Sequence, residues 1–327
     1  MASAAISRHT LSDNDMNKIA IAFAFDSRLL MPASVCISSL LMSADNDTFY
    51  DIYIIHSADE SFKGSLLDSI PVHYSRCSIS YRAVDSRFAS AYQVRGITVA
   101  TYYRLMLPEL VPEYDKIIYS DVDIIFRTDL GKVYNVDLGS NLIAAALDLG
   151  MNLGKDGLKH ISSVQGLCPG QYLQAGLLLL NLKQMREEDM VNKFMSLADR
   201  RFRFQDQDIL NMACAGRISW LEPKYNMTDY SFYYGMRHRD EVSGLMDLRQ
   251  IDEGMKSGNL HFNGHKPWKG YSVNFDIWWE YYRKSPFFDP EFYFEFFYRR
   301  LEEYDRLPLW KRIKILARYF VFGRKKD

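Results

Sequence analysis

The sequence has almost no net charge and no long hydrophobic run. Its 40 lysines and arginines balance 41 aspartates and glutamates, which leaves a formal net charge of −1. Because no overall basic field would attract a nucleic acid, we expect none as a partner. No stretch of about 18 apolar residues is present, so the sequence predicts no membrane-spanning helix.

Cysteines are also few, and none forms a Cys-x-x-Cys pair. The four are Cys36, Cys77, Cys168 and Cys214. Scattered single cysteines indicate free thiols in a reducing compartment. The first fifteen residues lack the apolar core of a secretory signal, so we expect a cytoplasmic protein. Residues 1–17 are predicted to form a flexible tail.

Hydrophobic residues make up 48% of the 327 residues, enough for one large domain or for one domain with a small appendage. The segment KIAIAFAF, residues 18–25, is typical of a strand that is buried on both faces, as in a parallel sheet. Alternating strand and helix patterns then predict an α/β layered domain.

The predicted elements follow from hydrophobic periodicity and from the positions of Gly and Pro. Strands are predicted at 50–56, 78–84, 142–147, 175–182 and 217–221, and helices at 32–43, 60–69, 98–107 and 206–214. We expect the helix at 98–107 to end at Pro108. The glycine-containing segment 150–170 is predicted to be a long loop with a functional role or high mobility.

Two aspartates lie between apolar runs in KIIYSDVDIIF, residues 116–126. At spacing i and i+2 on an extended segment, Asp121 and Asp123 point to the same side, so both carboxylates can hold one divalent cation. The Asp-x-Asp pattern occurs four times in the chain, but only this pair has apolar strand residues on both sides. A purely local role as strand-end caps is the alternative that this context leaves open.

Further polar groups point to the same site. Asp26 and Asp148, like Asp121, follow predicted strands, and ligands of open α/β sheets bind beyond the carboxyl ends of strands. The segment HFNGHKPWK, residues 261–269, supplies the imidazole of His261, a flexible glycine and a lysine that can offset phosphate charge. Two carboxylates with one imidazole suit Mn²⁺, with Mg²⁺ as a second possibility. Taken alone, His261 would more often be a satisfied core histidine than a metal ligand.

The C-terminal region predicts two helices. Asp289 is a good N-cap and Pro290 suits the first helical position. After Pro308, apolar residues recur at helical spacing with basic residues opposite them. These are Trp310, Ile313, Leu316 and Phe320, and Lys311, Lys314 and Arg318. Binding to an anionic membrane surface and packing against the protein both remain open.

Several motifs occur together in a fixed order. They are ATYYRL (100–105), IIYSDVD, LDL (147–149), AGLLLLNL, FQDQDIL (204–210) and HFNGHKPW. In this set the chain resembles glycosyltransferase family 8, the retaining enzymes that include glycogenin and bacterial lipopolysaccharide galactosyl- and glucosyltransferases. The resemblance covers residues 18–275. It implies a GT-A catalytic domain over that range, with a single Rossmann-like nucleotide-binding sheet flanked by helices. Residues 276–327 then form a small C-terminal helical appendage with a basic amphipathic tail.

The resemblance also implies the ligands and the residues that bind them. The donor is a UDP-sugar, UDP-glucose or UDP-galactose, and Asp121, Asp123 and His261 hold Mn²⁺. The implied donor-binding residues are Asp26 and Ser27 near the uridine, Arg104, Asp148, Asp206, Gln207 and Gln174 around the sugar, Asp121, Val122 and Asp123, and Gly264, His265 and Lys266 near the diphosphate. Asp206 and Gln207 are the implied catalytic residues.

This chain departs from the family pattern at three places. Gln174 stands where an asparagine is usual, one methylene longer, and Phe25 replaces the first acid of a common N-terminal pair. The stretch between Gly264 and Lys266 is one residue shorter than the pattern, so His265 becomes a candidate to reach the phosphates.

The function that these features predict is retaining transfer of a hexose to a saccharide hydroxyl, such as that of a lipopolysaccharide core or another lipid-linked glycan. No carboxylate among the motifs is an obvious nucleophile, which favours same-face attack over a covalent intermediate on Asp206 or Gln207. A UDP-sugar-binding protein and a UDP-sugar hydrolase are the alternatives. We expect the enzyme on the inner face of the cytoplasmic membrane.

Overall fold

The computed structural model of the protein describes residues 16–85 and 99–322. Most of the N-terminal tail predicted at residues 1–17 lies outside this range. The chain divides into two compact units, one ending at Pro286 and one beginning at Phe287. The domain boundary predicted between residues 275 and 276 stays a prediction.

The described residues form ten strands in two sheets. The strands are β1 (Asn17–Ala24), β2 (Thr48–Ser57), β3 (Cys77–Val84), β4 (Ile117–Ser120), β5 (Ile124–Ile125), β6 (Ile143–Leu147), β7 (Leu173–Leu180), β8 (Ile218–Trp220), β9 (Met227–Thr228) and β10 (Leu260–His261). The larger sheet has the order β3-β2-β1-β4-β7-β6-β8, and β7 runs antiparallel to both of its neighbours. In the smaller sheet, β10 lies between β5 and β9.

Helices cover the larger sheet and connect its strands. In the first unit they are α1 (Leu30–Met42), α2 (Ile70–His73), α3 (Leu107–Leu110), α4 (Gly131–Tyr134), α5 (Leu149–Leu153), α6 (Lys155–Ser163), α7 (Leu182–Glu187), α8 (Met190–Ala198), α9 (Gln205–Ala213), α10 (Asp229–Arg237), α11 (Arg239–Ser243), α12 (Leu248–Ser257) and α13 (Phe275–Lys284). Short 3-10 helices lie at Ser27–Leu29, Leu66–Ser69, Val99–Met106 and Pro223–Tyr225.

The uniformly apolar strands form the centre of the larger sheet. Residues 19–24 of β1 and every residue of β7 are buried. β1 is parallel to both neighbours, as its sequence predicts, whereas the equally apolar β7 is antiparallel. Burial on both faces requires apolar side chains in either orientation, so composition did not reveal the direction of β7.

Three predicted elements differ from the structure. The helix predicted at 60–69 is wrong, since only a 3-10 turn capped by Ser65 precedes α2. The prediction that Pro108 ends a helix is also wrong, because it lies in the first turn of α3, where its missing N–H costs no bond. The segment 150–170 is not one long loop, since it contains α5 and α6. A Cβ on Gly157 would lie 2.5 Å from Met151, so this glycine allows two helices to pack closely.

The C-terminal unit contains α14 (Pro290–Asp305) and α15 (Leu309–Phe322). The Asp289 side chain accepts hydrogen bonds from the N–H groups of Glu291 and Phe292, which confirms the predicted N-cap. On α15, Trp310 and Ile313 are 61% and 56% exposed. Within the described residues, every helix is too short or too polar to cross a lipid bilayer.

Candidate active site

A cleft of about 1180 Å³ opens beyond the carboxyl ends of β1, β4 and β6. These three strands run in one direction, so the acids that follow them, Asp26, Asp121 and Asp148, line the same cleft. The other predicted residues that line it are Arg104, Val122, Asp123, Gln174, Asp206, Gln207, His261, Gly264 and Lys266. Ser27 and His265 are not among the lining residues.

Asp121, Asp123 and His261 meet where the two sheets approach each other. Asp121 directly follows β4, Asp123 directly precedes β5, and β5 pairs with β10, where His261 lies opposite Ile124. One ligand atom from each of the three side chains lies within 4.8 Å of the others. The Nε2 atom of His261 is 3.2 Å from Asp123 Oδ1 and 3.7 Å from Asp121 Oδ2. The three side chains can therefore hold one metal ion.

Two of these ligand atoms lack hydrogen-bond partners. Asp123 Oδ1 and His261 Nε2 are buried, and no donor or acceptor among the described residues satisfies them. Buried polar atoms without partners are costly and rare in native proteins. A cation between the two atoms would satisfy both, so the donor set fits a divalent metal.

Lys266 adds a positive charge beside these acids. Its ammonium pairs with Asp123 and donates a hydrogen bond of 2.7 Å to the carbonyl of Phe262. Burial opposes the ionisation of Asp123, but the positive charge of the Lys266 ammonium lowers its pKa, and the lowering prevails. Asp123 is therefore held as a carboxylate, the form that binds metal.

Arg104 lines the cleft and pairs with two of its acids. Its buried guanidinium pairs with Asp121 at 2.7 Å and with Asp206 at 3.1 Å, and it lies 4.2 Å from the ring centroid of Tyr119. The Tyr119 hydroxyl donates to the same Asp121 oxygen, Oδ1, at 2.9 Å. Since Oδ1 has these two partners, Oδ2 is the Asp121 oxygen that faces His261.

The predicted catalytic residues are engaged by neighbouring groups. Asp206 accepts a hydrogen bond of 2.7 Å from Thr101, and burial raises its pKa although the charge of Arg104 acts in the opposite direction. Gln207 accepts from the Ala175 N–H at 3.0 Å and donates to Asp148 at 3.1 Å. Asp148 also caps α5, and burial raises its pKa.

At the uridine end predicted from the sequence, Asp26 forms a 2.8 Å ion pair with Arg28. The Ser27 hydroxyl donates to Glu60 at 2.9 Å, and neither residue is among those that line the cleft. His265 is exposed, whereas Lys266 is the residue of this segment that contacts Asp123. The roles of Asp26, Ser27 and His265 in donor binding stay predictions.

Sequence reasoning missed several residues of the site. The Asn226 side-chain oxygen lies 2.9 Å from Nδ1, the second ring nitrogen of His261, and Gly176 lies against the same ring. Tyr230 lines the cleft, and its side chain is half exposed. Gly176 lies within the AGLLLLNL motif, so its position was visible in the sequence. Asn226 and Tyr230 belong to no motif, and only the pairing of β9 with β10 brings that segment to the site.

The chain is similar to proteins of known family. A model described as glycosyl transferase family 8 matches residues 20–271. A putative glycosyltransferase of Haemophilus influenzae is 32% identical over 135 residues, which is 40% of this chain and only 40% of that protein. The lipopolysaccharide 1,3-galactosyltransferase of Salmonella typhimurium is 23% identical over 268 residues, 80% of this chain and 76% of that protein.

A solved structure shares the fold. The crystal structure of galactosyltransferase LgtC in complex with donor and acceptor sugar analogs matches with a TM-score of 0.69 at 23% identity, covering 84% of this chain and 98% of that one. This likeness confirms the predicted GT-A fold. Because the family match extends over most of the sequence, the chain belongs to glycosyl transferase family 8.

Proposed function

We propose that the protein is a retaining hexosyltransferase that moves glucose or galactose from a UDP-sugar to a hydroxyl of a saccharide acceptor. The observation that carries this proposal is the group of Asp121, Asp123 and His261, with two unpartnered ligand atoms at the edge of a large cleft. Family membership supports it, as do relatives named lipopolysaccharide 1,3-galactosyltransferase and lipopolysaccharide glucosyltransferase WaaO. A lipopolysaccharide core or another lipid-linked glycan is the acceptor class we favour.

The donor atoms favour Mn²⁺ as the metal, with Mg²⁺ as a second possibility. Two carboxylates and one imidazole form a mixed oxygen and nitrogen set, which suits Mn²⁺ better than a calcium site made only of oxygens. The bound cation would supply Lewis acidity that neutralises charge on the departing UDP. The Lys266 ammonium, already beside Asp123, offers a second positive group to the diphosphate.

The walls of the cleft suit sugar hydroxyls. Arg104, Asp148 and Asp206 are buried polar side chains whose positions are set by hydrogen bonds within the protein. Fixed polar groups of this kind discriminate between sugars that differ in one hydroxyl, because a wrong hydroxyl leaves a buried group unpaired. The half-exposed ring of Tyr230 adds an apolar surface on which an acceptor sugar can stack.

The contacts of Asp206 and Gln207 support same-face attack. The Gln207 amide has its oxygen on the Ala175 N–H and its nitrogen on Asp148, so the oxygen that would act as a nucleophile is already engaged by a donor. Asp206 is paired with Arg104 and with Thr101. We propose that a phosphate oxygen of the departing UDP accepts the proton of the acceptor hydroxyl. A glycosyl adduct trapped on Asp206 or Gln207 and seen by mass spectrometry would refute this route.

The C-terminal helix supports attachment to an anionic membrane surface. Trp310 and Ile313 are exposed on α15, and Lys311 and Lys314 provide positive charge on the same helix. Apolar and basic side chains on one surface helix are typical of binding at a lipid interface. We propose a peripheral enzyme on the inner face of the cytoplasmic membrane, close to a lipid-linked acceptor.

The deciding experiment measures UDP release from UDP-glucose and UDP-galactose with Mn²⁺, with and without saccharide acceptors. A transferase releases UDP faster when the acceptor is present and yields a glycosylated product. Equal release without acceptor would identify a hydrolase, and donor binding without release would identify a binding protein. Either result would replace the proposed function.

A further inference from the structure

Two buried side chains, those of Gln174 and Asn226, connect the candidate metal ligand His261 to the backbone of β7. The Gln174 Oε1 atom accepts hydrogen bonds from the Gly176 N–H at 2.6 Å and from the Asn226 side-chain amide at 2.5 Å. The Asn226 Oδ1 atom lies 2.9 Å from His261 Nδ1. Gln174, Asn226 and His261 are 5%, 3% and 1% exposed, so water does not compete for these bonds.

The donor and the acceptor of each hydrogen bond in this series can be assigned in turn, starting from the Gly176 N–H. A backbone N–H can only donate, so the Gln174 atom beside Gly176 must be its oxygen. The Asn226 atom that contacts this oxygen must then be its NH₂ group, which leaves the Asn226 oxygen to face His261. His261 Nδ1 therefore carries a hydrogen, and in the neutral imidazole Nε2 holds the lone pair. That lone pair faces Asp123 Oδ1 at 3.2 Å.

The backbone of Gly176 positions both Asp121 and Gln174. Its carbonyl accepts the Asp121 N–H at 2.8 Å, while its own N–H holds Gln174. A Cβ at this position would lie 2.7 Å from His261 Nδ1 and closer still to Cε1. The missing side chain thus gives the imidazole room to lie against β7.

We propose that Gln174 and Asn226 are positioning residues of the metal site, which hold His261 in the Nδ1–H tautomer so that Nε2 can bind a cation. The metal-binding part of this inference rests on the proposed function, whereas the tautomer does not. Partners of a metal-binding histidine typically contribute about 10- to 100-fold to metal affinity. Since Gln174 Oε1 already has two donors, the donor-sugar contact predicted for Gln174 would use its Nε2 atom.

The first test reads the tautomer directly in the metal-free protein. Long-range ¹H–¹⁵N NMR spectra of histidine-labelled protein distinguish the protonated ring nitrogen from the unprotonated one, and His261→Gln identifies one signal set among seven histidines. We expect His261 to carry its hydrogen on Nδ1. A hydrogen on Nε2, with Nδ1 bare, would overturn the proposal.

The second test measures Mn²⁺ affinity from the electron paramagnetic resonance signal of the free ion. Gln174→Leu removes the acceptor and lets the Asn226 amide rotate, so we expect Mn²⁺ to bind at least about tenfold more weakly. Gln174→Glu keeps an acceptor for both donors and should retain at least the wild-type affinity. The matched control is Gln184→Leu on helix α7, where the Gln184 side chain donates to Glu188 at the end of the same helix.

The outcomes separate this inference from the proposed function. Equal Mn²⁺ binding by Gln174→Leu and the wild type would overturn the positioning role and leave the metal site standing. If the wild type itself binds no Mn²⁺, the proposed metal is wrong, and the NMR result alone decides the hydrogen-bond chain. The same NMR result decides it if Gln174→Leu does not fold.

Discussion

Replacing Asp123 by asparagine tests the candidate site most sharply. The change keeps size and shape but removes one of the two carboxylates that face His261, and its Oδ1 is one of the two unpartnered atoms. Removing a single electrostatic stabiliser typically lowers turnover by about 100- to 1000-fold. We therefore expect a loss of at least about 100-fold, which corresponds to about 2.7 kcal/mol of transition-state stabilisation.

The fold should tolerate Asp123→Asn. The carboxylate is largely buried, with 15% of the side chain exposed, so the substitution relieves a desolvation cost, and it also loses the pairing with Lys266. These two effects oppose each other, and the side chain of Lys266 is 28% exposed, so water can solvate its charge. Because the lowered pKa of Asp123 means that its charged surroundings outweigh burial, we expect the melting temperature without ligands to fall modestly while the protein stays folded.

The assay measures UDP release with saturating donor and acceptor, together with thermal unfolding with and without Mn²⁺ and UDP. Ligands at 100 times their Kd stabilise a protein by about 2.7 kcal/mol, and this increment should disappear in the variant. Asp240→Asn on α11, an exposed residue outside the cleft lining, is the matched control. Wild-type kinetics and wild-type stabilisation in Asp123→Asn would refute the placement of the metal.

Three further predictions concern the surroundings of the site and the C-terminal helix. Gly176→Ala places a methyl group against His261. We expect Mn²⁺ to bind at least about tenfold more weakly, measured by titration, and the fold to lose about 1–3 kcal/mol of stability, measured by thermal unfolding. Tyr230→Ala should raise KM for the acceptor and leave donor KM unchanged, and equal acceptor KM would refute the stacking role. Deletion after Pro308 should spare transfer to a soluble acceptor and weaken sedimentation with anionic vesicles, since each basic residue near such a surface contributes about 1 kcal/mol. Equal vesicle binding by both forms would contradict the membrane proposal.

Local sequence determined much of the fold and part of the site. The apolar runs of β1 and β7 marked the buried strands, and Asp289 with Pro290 marked the start of α14, because burial and capping depend on neighbouring residues. The pair Asp121 and Asp123 could be recognised because acids between apolar strands are costly without a partner. The helix predicted at 60–69 and the long loop predicted at 150–170 were wrong. Helical spacing and glycine content in the sequence do not show how a segment packs against the rest of the protein.

Only the tertiary structure decided how the ligands are arranged. His261 reaches Asp123 because β10 pairs with β5, and Asn226 reaches His261 because β9 pairs with β10 on the other side. The carboxylate pair, the imidazole and the two amides are far apart from one another in the sequence, so the spacing between these groups contains no information about their contacts. Strand pairing sets those contacts, and with them which nitrogen of His261 is left to bind a metal.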